Sequence, residues 1–267
     1  MTINNDINNY YVDNNTSTAL EKVATGLQIN KASDDASGLA IADQLRSQNS
    51  ALAQAIQNVN SGVTLTNIAD GGLSEQKNLL EKIQTEVIKA NNGTLNTEDR
   101  EIIAQTIGKY VEQFNATAEQ TNYNGKDLLQ QSGDVVADDL SIATDGSIIN
   151  LNTVDTKSIG SDINQHLGQF ASSSDARKSV MDAINDGISK INSYQSDFGS
   201  VTNQLESSAR QYLDQQTNIA NAESEIRDLD YTSIVETFSK ADIQAQLGSF
   251  IQSQANASNT RTIRLLT

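Results

Sequence analysis

Apolar residues recur in alternating steps of three and four along two long stretches of this chain. A period near 3.5 residues gives a narrow apolar stripe, which is typical of a coiled-coil seam and narrower than the face of a globular helix. Each helix therefore needs partners along its whole length. The N-terminal stripe contains Ile41, Leu45, Leu52, Ile56, Val59, Val63, Ala69, Leu73, Gln76, Leu80, Ile83 and Val87, and the C-terminal stripe contains Ile184, Ile191, Tyr194, Phe198, Val201, Leu205, Tyr212, Ile219, Ala222 and Ile226.

Stop and start signals divide the helical stretches. Asn91, Asn92 and Gly93 end the first long helix in the manner of a C-cap. Asn96 and Asp99 then have the spacing of a capping box, which begins a shorter helix. From these signals and the stripes we predict helices over about 37–90, 97–118 and 175–226.

The periodicity changes between the long helices. Asp145 and Gly146 supply a turn, so we predict a β-hairpin region over about 128–170. The aliphatic residues that lie there among Asp, Gly, Ser and Thr are Val135, Val136, Leu140, Ile142, Ile148, Ile149 and Leu151. Nearly equal lengths at opposite ends of the sequence indicate that the long helices pair antiparallel. The predicted fold is mainly α, an elongated antiparallel coiled-coil helical bundle with a small β-hairpin region in the middle of the chain.

Both ends of the chain carry apolar residues outside these elements. The helical pattern is interrupted near residues 227–231 and then resumes through Ile234 and Phe238. Because neither terminal segment has an obvious core within the chain, we expect their apolar residues to be buried between molecules.

Composition narrows the class of protein. Only 37% of residues are hydrophobic and 4% aromatic, with no Trp, so a thick globular core is not expected. Pro is absent, which suits uninterrupted helix, and Cys is absent, which excludes disulfides. The net charge of −16 argues against binding to nucleic acids or to anionic membranes. We see neither a secretory signal nor a stretch of roughly 18 apolar residues that could span a membrane.

Candidate chemistry is sparse. His166 is the only histidine, so histidine triads and two-histidine metal motifs are excluded within one chain, and we place it in a polar loop. Ser33, Asp34 and Asp35 are better explained as the N-cap and first-turn acids of the first long helix than as a cation site.

Two further pairs have structural explanations. Asp138 and Asp139 lack the alternating ligands of a calcium loop and are interpreted as solvated charges. Gly71 and Gly72 lie within a helical pattern, where close helix packing or a bend explains them better than a phosphate loop. We therefore predict no catalytic, cofactor or metal site, no cofactor and no enzyme activity.

Four motifs carry a family resemblance over nearly the whole chain. GLQINKASDDASGLAIADQLRSQ, residues 26–48, resembles the N-terminal signature of bacterial flagellins, and SQANASNTRTIRLLT, residues 253–267, resembles their C-terminal signature. QTNYNG at 120–125 and AESEIRDLDY at 222–231 are similar to further blocks of that family. The Asn-rich opening MTINNDINNYYVDNN is shorter and more polar than the family's usual start.

The resemblance implies a filament subunit for motility. Such a subunit is exported by the flagellar type III system to an extracellular filament, with an export chaperone and a cap protein as partners. It implies inner-tube segments at 1–36 and 228–267 around a core domain at 37–227, in a short type without outer variable domains. A secreted flagellin-like effector and a hook-filament junction protein remain alternatives.

The resemblance also yields two sets of candidate residues. Lys82, Glu86 and Thr106 align with the patch that an innate immune receptor recognises in enteric flagellins, and Glu86 would put a charge where an apolar contact is needed, so we expect weak receptor activation. The candidate polymerisation interface comprises Leu20, Val23, Leu27, Ile234, Phe238, Phe250, Ile251, Ile263, Leu265 and Leu266.

Overall fold

The computed structural model describes residues 17–130, 141–144, 146, 148–151 and 154–266. Within the last helix, the side chains of residues 252, 256, 259, 260 and 262–266 lie outside this description. The helices are α1 (residues 17–25), α2 (Ala36–Ala90), α3 (Thr97–Gln120), α4 (Lys157–Leu167), α5 (Ser174–Arg227) and α6 (Tyr231–Leu266). Between α3 and α4 lie two antiparallel strand pairs, β1 (Asn122–Tyr123) with β2 (Lys126–Asp127) and β3 (Ser141–Ala143) with β4 (Ile148–Asn150).

The prediction of a mainly helical fold with a small β region is confirmed. The chain forms two compact units, one of Ala51–Asp214 and one of Met1–Ser50 with Gln215–Thr267, which we call the central unit and the terminal unit. The domain boundaries drawn from the resemblance, 1–36, 37–227 and 228–267, stay a prediction.

The apolar stripes meet inside the central unit. Leu73, Leu80, Ile83 and Val87 of α2, and Ile184, Ile191 and Leu205 of α5, are fully buried. Side-chain hydrogen bonds flank this seam: Lys77 Nζ donates to Asn192 Oδ1 at 2.9 Å, and Gln84 Nε2 donates to Asn185 Oδ1 at 3.1 Å. Because partner numbers fall on α5 as they rise on α2, the two helices run antiparallel, and their seam is satisfied within one chain.

The start of α3 follows the predicted capping box. Asn96 Oδ1 accepts the Asp99 N–H at 2.7 Å, while the Asp99 carboxylate accepts the Asn96 N–H at 3.4 Å. Two orphan donors of the helix terminus are thereby satisfied. The first long helix ends at Ala90, directly before the Asn-Asn-Gly stop signal.

The start of α2 corrects one prediction. Its first turn contains no acid, because the helix begins at Ala36. Asp35 is the cap, and its Oδ1 accepts the N–H groups of Ser37 and Gly38, both at 3.0 Å. Asp34 stays outside the helix and instead closes the preceding turn, accepting N–H groups from Asn30 and Lys31 at 3.0 and 3.1 Å.

The predicted β-hairpin region over 128–170 is wrong in extent. The β1–β2 pair precedes it, and α4 occupies residues that we assigned to it. Ile159 and Ile163 lie one turn apart and are both buried, which gives this short helix an apolar face. His166 accordingly lies in the last turn of α4 and not in a loop. Val135, Val136, Asp138, Asp139, Leu140 and Asp145 lie outside the described residues.

Two properties of the described part of the chain bear on function. No helix there is long and apolar enough to cross a membrane. The same residues contain no group of three or more His, Cys, Asp or Glu side chains placed to hold a metal ion.

Candidate assembly surface

The connections before α2 and after α5 pair with each other in the terminal unit. Leu27 and Asp228 form an antiparallel β-bridge. The Gln28 N–H donates to the Arg227 carbonyl at 2.7 Å, and the Leu229 N–H donates to the Gly26 carbonyl at 3.1 Å. The connection before α2 and the connection after α5 therefore lie side by side in the terminal unit.

Gly26 makes the turn out of α1 possible. Its φ of +72° lies in the left-handed region, and its N–H donates to the Lys22 carbonyl at 2.9 Å, as expected after a helix C-terminus. A Cβ at Gly26 would lie 3.4 Å from the Tyr231 hydroxyl, so the first residue of α6 packs against this turn. The Arg227 Nε donates to the Ile29 carbonyl at 3.2 Å, which adds a side-chain tie.

Charged groups fix the next turn. The backbone N–H of Asn30, assisted by that of Lys31, holds the pKa of the partly exposed Asp34 carboxyl below its ordinary value of 3.8. Lys31 Nζ lies 2.9 Å from Glu21 Oε2, and this hydrogen bond raises the pKa of Lys31 above 10.5. Both partners of that pair are about half exposed, so it contributes little to stability.

Helix α6 begins at a cap and carries two apolar faces. The Asp230 carboxylate accepts the N–H groups of Thr232 and Ser233 at 2.9 and 3.3 Å. At 3.6 residues per turn, one face is formed by residues that the terminal unit partly or wholly covers. These are Ile234, Phe238, Ala241, Ala245 and Gly248, of which Ala241 is 7% exposed.

The opposite face of α6 is not covered by any of the residues that the structure describes. Its apolar side chains are all more than half exposed, up to 66% for Phe250. We name this set the outer face of α6, and it consists of Val235, Ile243, Leu247, Phe250 and Ile251. Several large apolar side chains exposed to this extent on one side of a helix are characteristic of an interaction surface.

The predicted interface residues separate into three groups. Leu20, Phe250 and Ile251 are exposed, whereas Val23, Leu27, Ile234 and Phe238 are partly buried in the terminal unit. Ile263, Leu265 and Leu266 belong to α6, but their side chains lie outside the described part.

Three members of the outer face were not among the interface residues predicted from the sequence. Val235, Ile243 and Leu247 lie on the side of α6 away from the stripe of Ile234 and Phe238. Steps of four and three from Ile243 through Leu247 to Phe250 form a second stripe on the same helix, and this stripe is the signal that reveals Ile243 and Leu247.

The residues aligned with the receptor patch lie in the central unit. Lys82 is exposed, and Glu86 is partly buried, with its carboxylate 2.6 Å from Lys89 Nζ on the same helix. The Thr106 hydroxyl on α3 donates to the Ile102 carbonyl at 3.0 Å. Glu86 therefore presents a charge that already has an intrahelical partner.

Comparison with known proteins gives consistent matches at both ends. The family model for the bacterial flagellin N-terminal helical region matches residues 1–134, and that for the bacterial flagellin C-terminal helical region matches residues 181–266. Flagellin of Halalkalibacterium halodurans is 28% identical, over 93% of this chain and 90% of that protein. The flagellar filament 31.3 kDa core protein of Treponema maltophilum is 28% identical, over 92% and 91%.

A solved structure shows the same fold. A flagellar hook-associated protein of Vibrio parahaemolyticus superimposes with a TM-score of 0.65 over 73% of this chain and all of that one. Its sequence identity of 16% makes this a likeness of fold alone.

Proposed function

This chain belongs to the bacterial flagellin family, and we propose that its polymerising contacts lie on the outer face of α6 and in the adjoining ends of the chain. It is a structural subunit of the extracellular flagellar filament, and it assembles with copies of itself. The observation that carries the proposal is the outer face, because a chain with only 37% hydrophobic residues leaves five large apolar side chains of one helix in water.

The energetics favour assembly through this face. Covering one large apolar side chain that is about half exposed contributes roughly 1 kcal/mol. Five such side chains supply several kcal/mol per contact, which offsets part of the entropy lost on association. Contacts between different surfaces of successive copies generate an open helical polymer when the rotation between copies does not close into a ring.

Charge substitution on the outer face tests the proposal. The double variant Leu247→Asp, Phe250→Asp should remain monomeric under conditions where the unmodified chain forms sedimenting polymers, because the carboxylates would have to be desolvated at the contact. Ser249→Asp is the control, since it adds a charge to α6 on another side and should still polymerise. Circular dichroism of the monomers establishes that helix content is retained. Polymers of the double variant with ordinary yield would refute the proposal.

Export before assembly is the second part of the proposal. We assign this chain to the flagellar type III route, with an export chaperone and a cap protein acting before polymerisation. The absence of Cys and Pro supports it, because neither disulfides nor prolyl isomerisation then opposes unfolding and refolding. In cells whose flagellar export apparatus is inactivated, the chain should disappear from the culture medium. Undiminished secretion by such cells would exclude this route.

Weak activation of the innate immune receptor is the third part. At the aligned patch Glu86 is 18% exposed and paired with Lys89, so receptor binding would desolvate a charge and disturb that pair. Glu86→Leu should therefore raise potency in a reporter-cell assay of the purified monomer, while Glu81→Leu, at an exposed position of the same helix, should not. Full potency of the unmodified chain would contradict the proposal.

A further inference from the structure

Within the central unit, the segment around α4 packs onto α2, α3 and α5 at two glycines, which lack a side chain. A Cβ at Gly187 would lie 2.6 Å from Ile159 Cγ2 and 3.2 Å from Leu80 Cδ1, so Ile159 fills a notch between α2 and α5. Gly160 lies directly against the Asn115 side chain of α3. We name residues 154–170 the α4 segment, and its buried apolar residues are Val154, Ile159, Ile163 and Phe170.

Two orphan acceptors lie beneath this segment. Gln76 Nε2 donates to Thr156 Oγ1 at 2.9 Å and to the Phe114 carbonyl at 3.1 Å, but Gln76 Oε1 is buried without a partner. Asn115 Oδ1, in contact with Gly160, is likewise buried without one. Because a buried acceptor without a donor is unfavourable, lifting the segment would let water satisfy both oxygens.

The buried cation of Arg177 connects the end of the segment to the helices beneath it. Arg177 is 8% exposed, and its Nε donates to Asn91 Oδ1 at 3.0 Å in the turn between α2 and α3. Its NH1 group donates to the carbonyls of Phe170 and Ala171, at 3.0 and 3.4 Å. These acceptors are all neutral, and burial, assisted by the charge of Arg100, lowers the pKa of Arg177. The hydrogen bonds of Arg177 therefore hold a desolvated positive charge that none of its hydrogen-bond acceptors neutralises.

We infer that the α4 segment is a lid that opens as a unit while α2, α3 and α5 remain folded together. The segment is held by four apolar side chains, by the desolvated guanidinium of Arg177, and by hydrogen bonds of Thr156 to Gln76 and to the Leu129 carbonyl, while the orphan oxygens beneath it favour release. The long seam of α2 and α5 buries a larger apolar surface than these four side chains do. Of the three buried side-chain acceptors without a partner in the described part of the chain, two lie under the α4 segment, and the third, Asn49 Oδ1, lies on α2 in the terminal unit. Elements of low local stability open separately from the rest of a domain.

Hydrogen exchange of the unmodified chain tests the separation. Amides of residues 160–167 should exchange on the order of tenfold faster than those of residues 76–87 and 184–198. Equal rates in the three regions would overturn the inference.

A disulfide between α3 and the α4 segment provides a sharper test of the inference. Asn115→Cys with Gly160→Cys places two thiols at the observed contact in a chain that has no other Cys. When oxidised, the pair should slow exchange of residues 160–167 to the rate of the seam, and reduction should restore the fast rate. Failure of the disulfide to form would contradict the contact on which the lid rests, and an unchanged rate after oxidation would contradict its opening.

The Arg177 tie is tested by Arg177→Met. This variant should speed exchange of residues 160–167 while leaving the seam unchanged, and Lys178→Met, at the exposed neighbouring position, should change neither. If Arg177→Met speeds exchange equally along α2, α4 and α5, the segment is no separate lid.

Discussion

At the scale of residues, the sequence often identifies a pair of candidates whereas the structure selects one of them. Gly71 and Gly72 share a helical pattern, but only Gly72 faces a close neighbour: a Cβ there would lie 2.5 Å from Thr121 Oγ1 and 2.8 Å from Leu129 Cδ1. Asp34 and Asp35 are likewise adjacent, and only Asp35 caps α2. Which member of each pair matters depends on tertiary packing and on the first helical residue, neither of which local pattern defines.

The glycine pair yields a matched prediction. Gly72→Ala should destabilise the chain by about 1 kcal/mol, because overpacking of about 1–3 kcal/mol outweighs the helix propensity gained. Gly71→Ala should stabilise it by about 0.5–1 kcal/mol, since nothing lies within 4 Å of its added Cβ. Urea unfolding of both variants measures the difference. Equal effects would show that Gly72 is not a contact point.

The Asp34 turn yields a pH prediction. Because the folded-state pKa of Asp34 lies below its ordinary value of 3.8, its contribution is complete above that value and is lost as the pH falls through the folded pKa. In an NMR titration, the midpoint of the shift of the Asn30 and Lys31 N–H signals should therefore lie below pH 3.8. Asp34→Asn should abolish that shift. A midpoint at or above 3.8 would contradict the hydrogen bonds assigned to Asp34.

At the scale of elements, long periodic helices are predictable and short ones are not. The bounds Ala36–Ala90 and Ser174–Arg227 lie close to those predicted from the stripes, because many turns of consistent pattern outweigh local exceptions. Helix α4 has only 11 residues, and its buried pair Ile159 and Ile163 is as compatible with a strand-rich region as with a helix. Helix α6 carries two apolar faces, and the stripe of Ile234 and Phe238 predicts only one of them, not the outer face.

The C-terminal element carries its own prediction. Deleting Ile263 to Thr267 should abolish polymerisation without unfolding the central unit, because the buried seam of that unit lies entirely within Ala51–Asp214. Sedimentation measures the polymer, and the thermal transition of the monomer measures the fold. Normal polymerisation of the truncated chain would show that its last residues take no part in the contacts.

At the scale of the whole molecule, the apolar residues serve two kinds of contact, one within the chain and one between molecules. The stripes of the central unit are satisfied by each other, as the antiparallel bonds between α2 and α5 show. The outer face of α6 has no such partner among the described residues. The sequence indicates that apolar residues near the termini serve contacts between molecules, but it does not show which side of α6 is left uncovered, because that depends on how the terminal unit packs.

Electron microscopy of cells that express this chain as their sole flagellin tests the central claim most directly. We expect filaments from the unmodified chain and from Ser249→Asp, and none from the double variant Leu247→Asp, Phe250→Asp. Secretion of the unmodified chain without any filament would contradict the account and would indicate an effector. Short assemblies of the chain confined to hook ends would also contradict it and would indicate a junction protein.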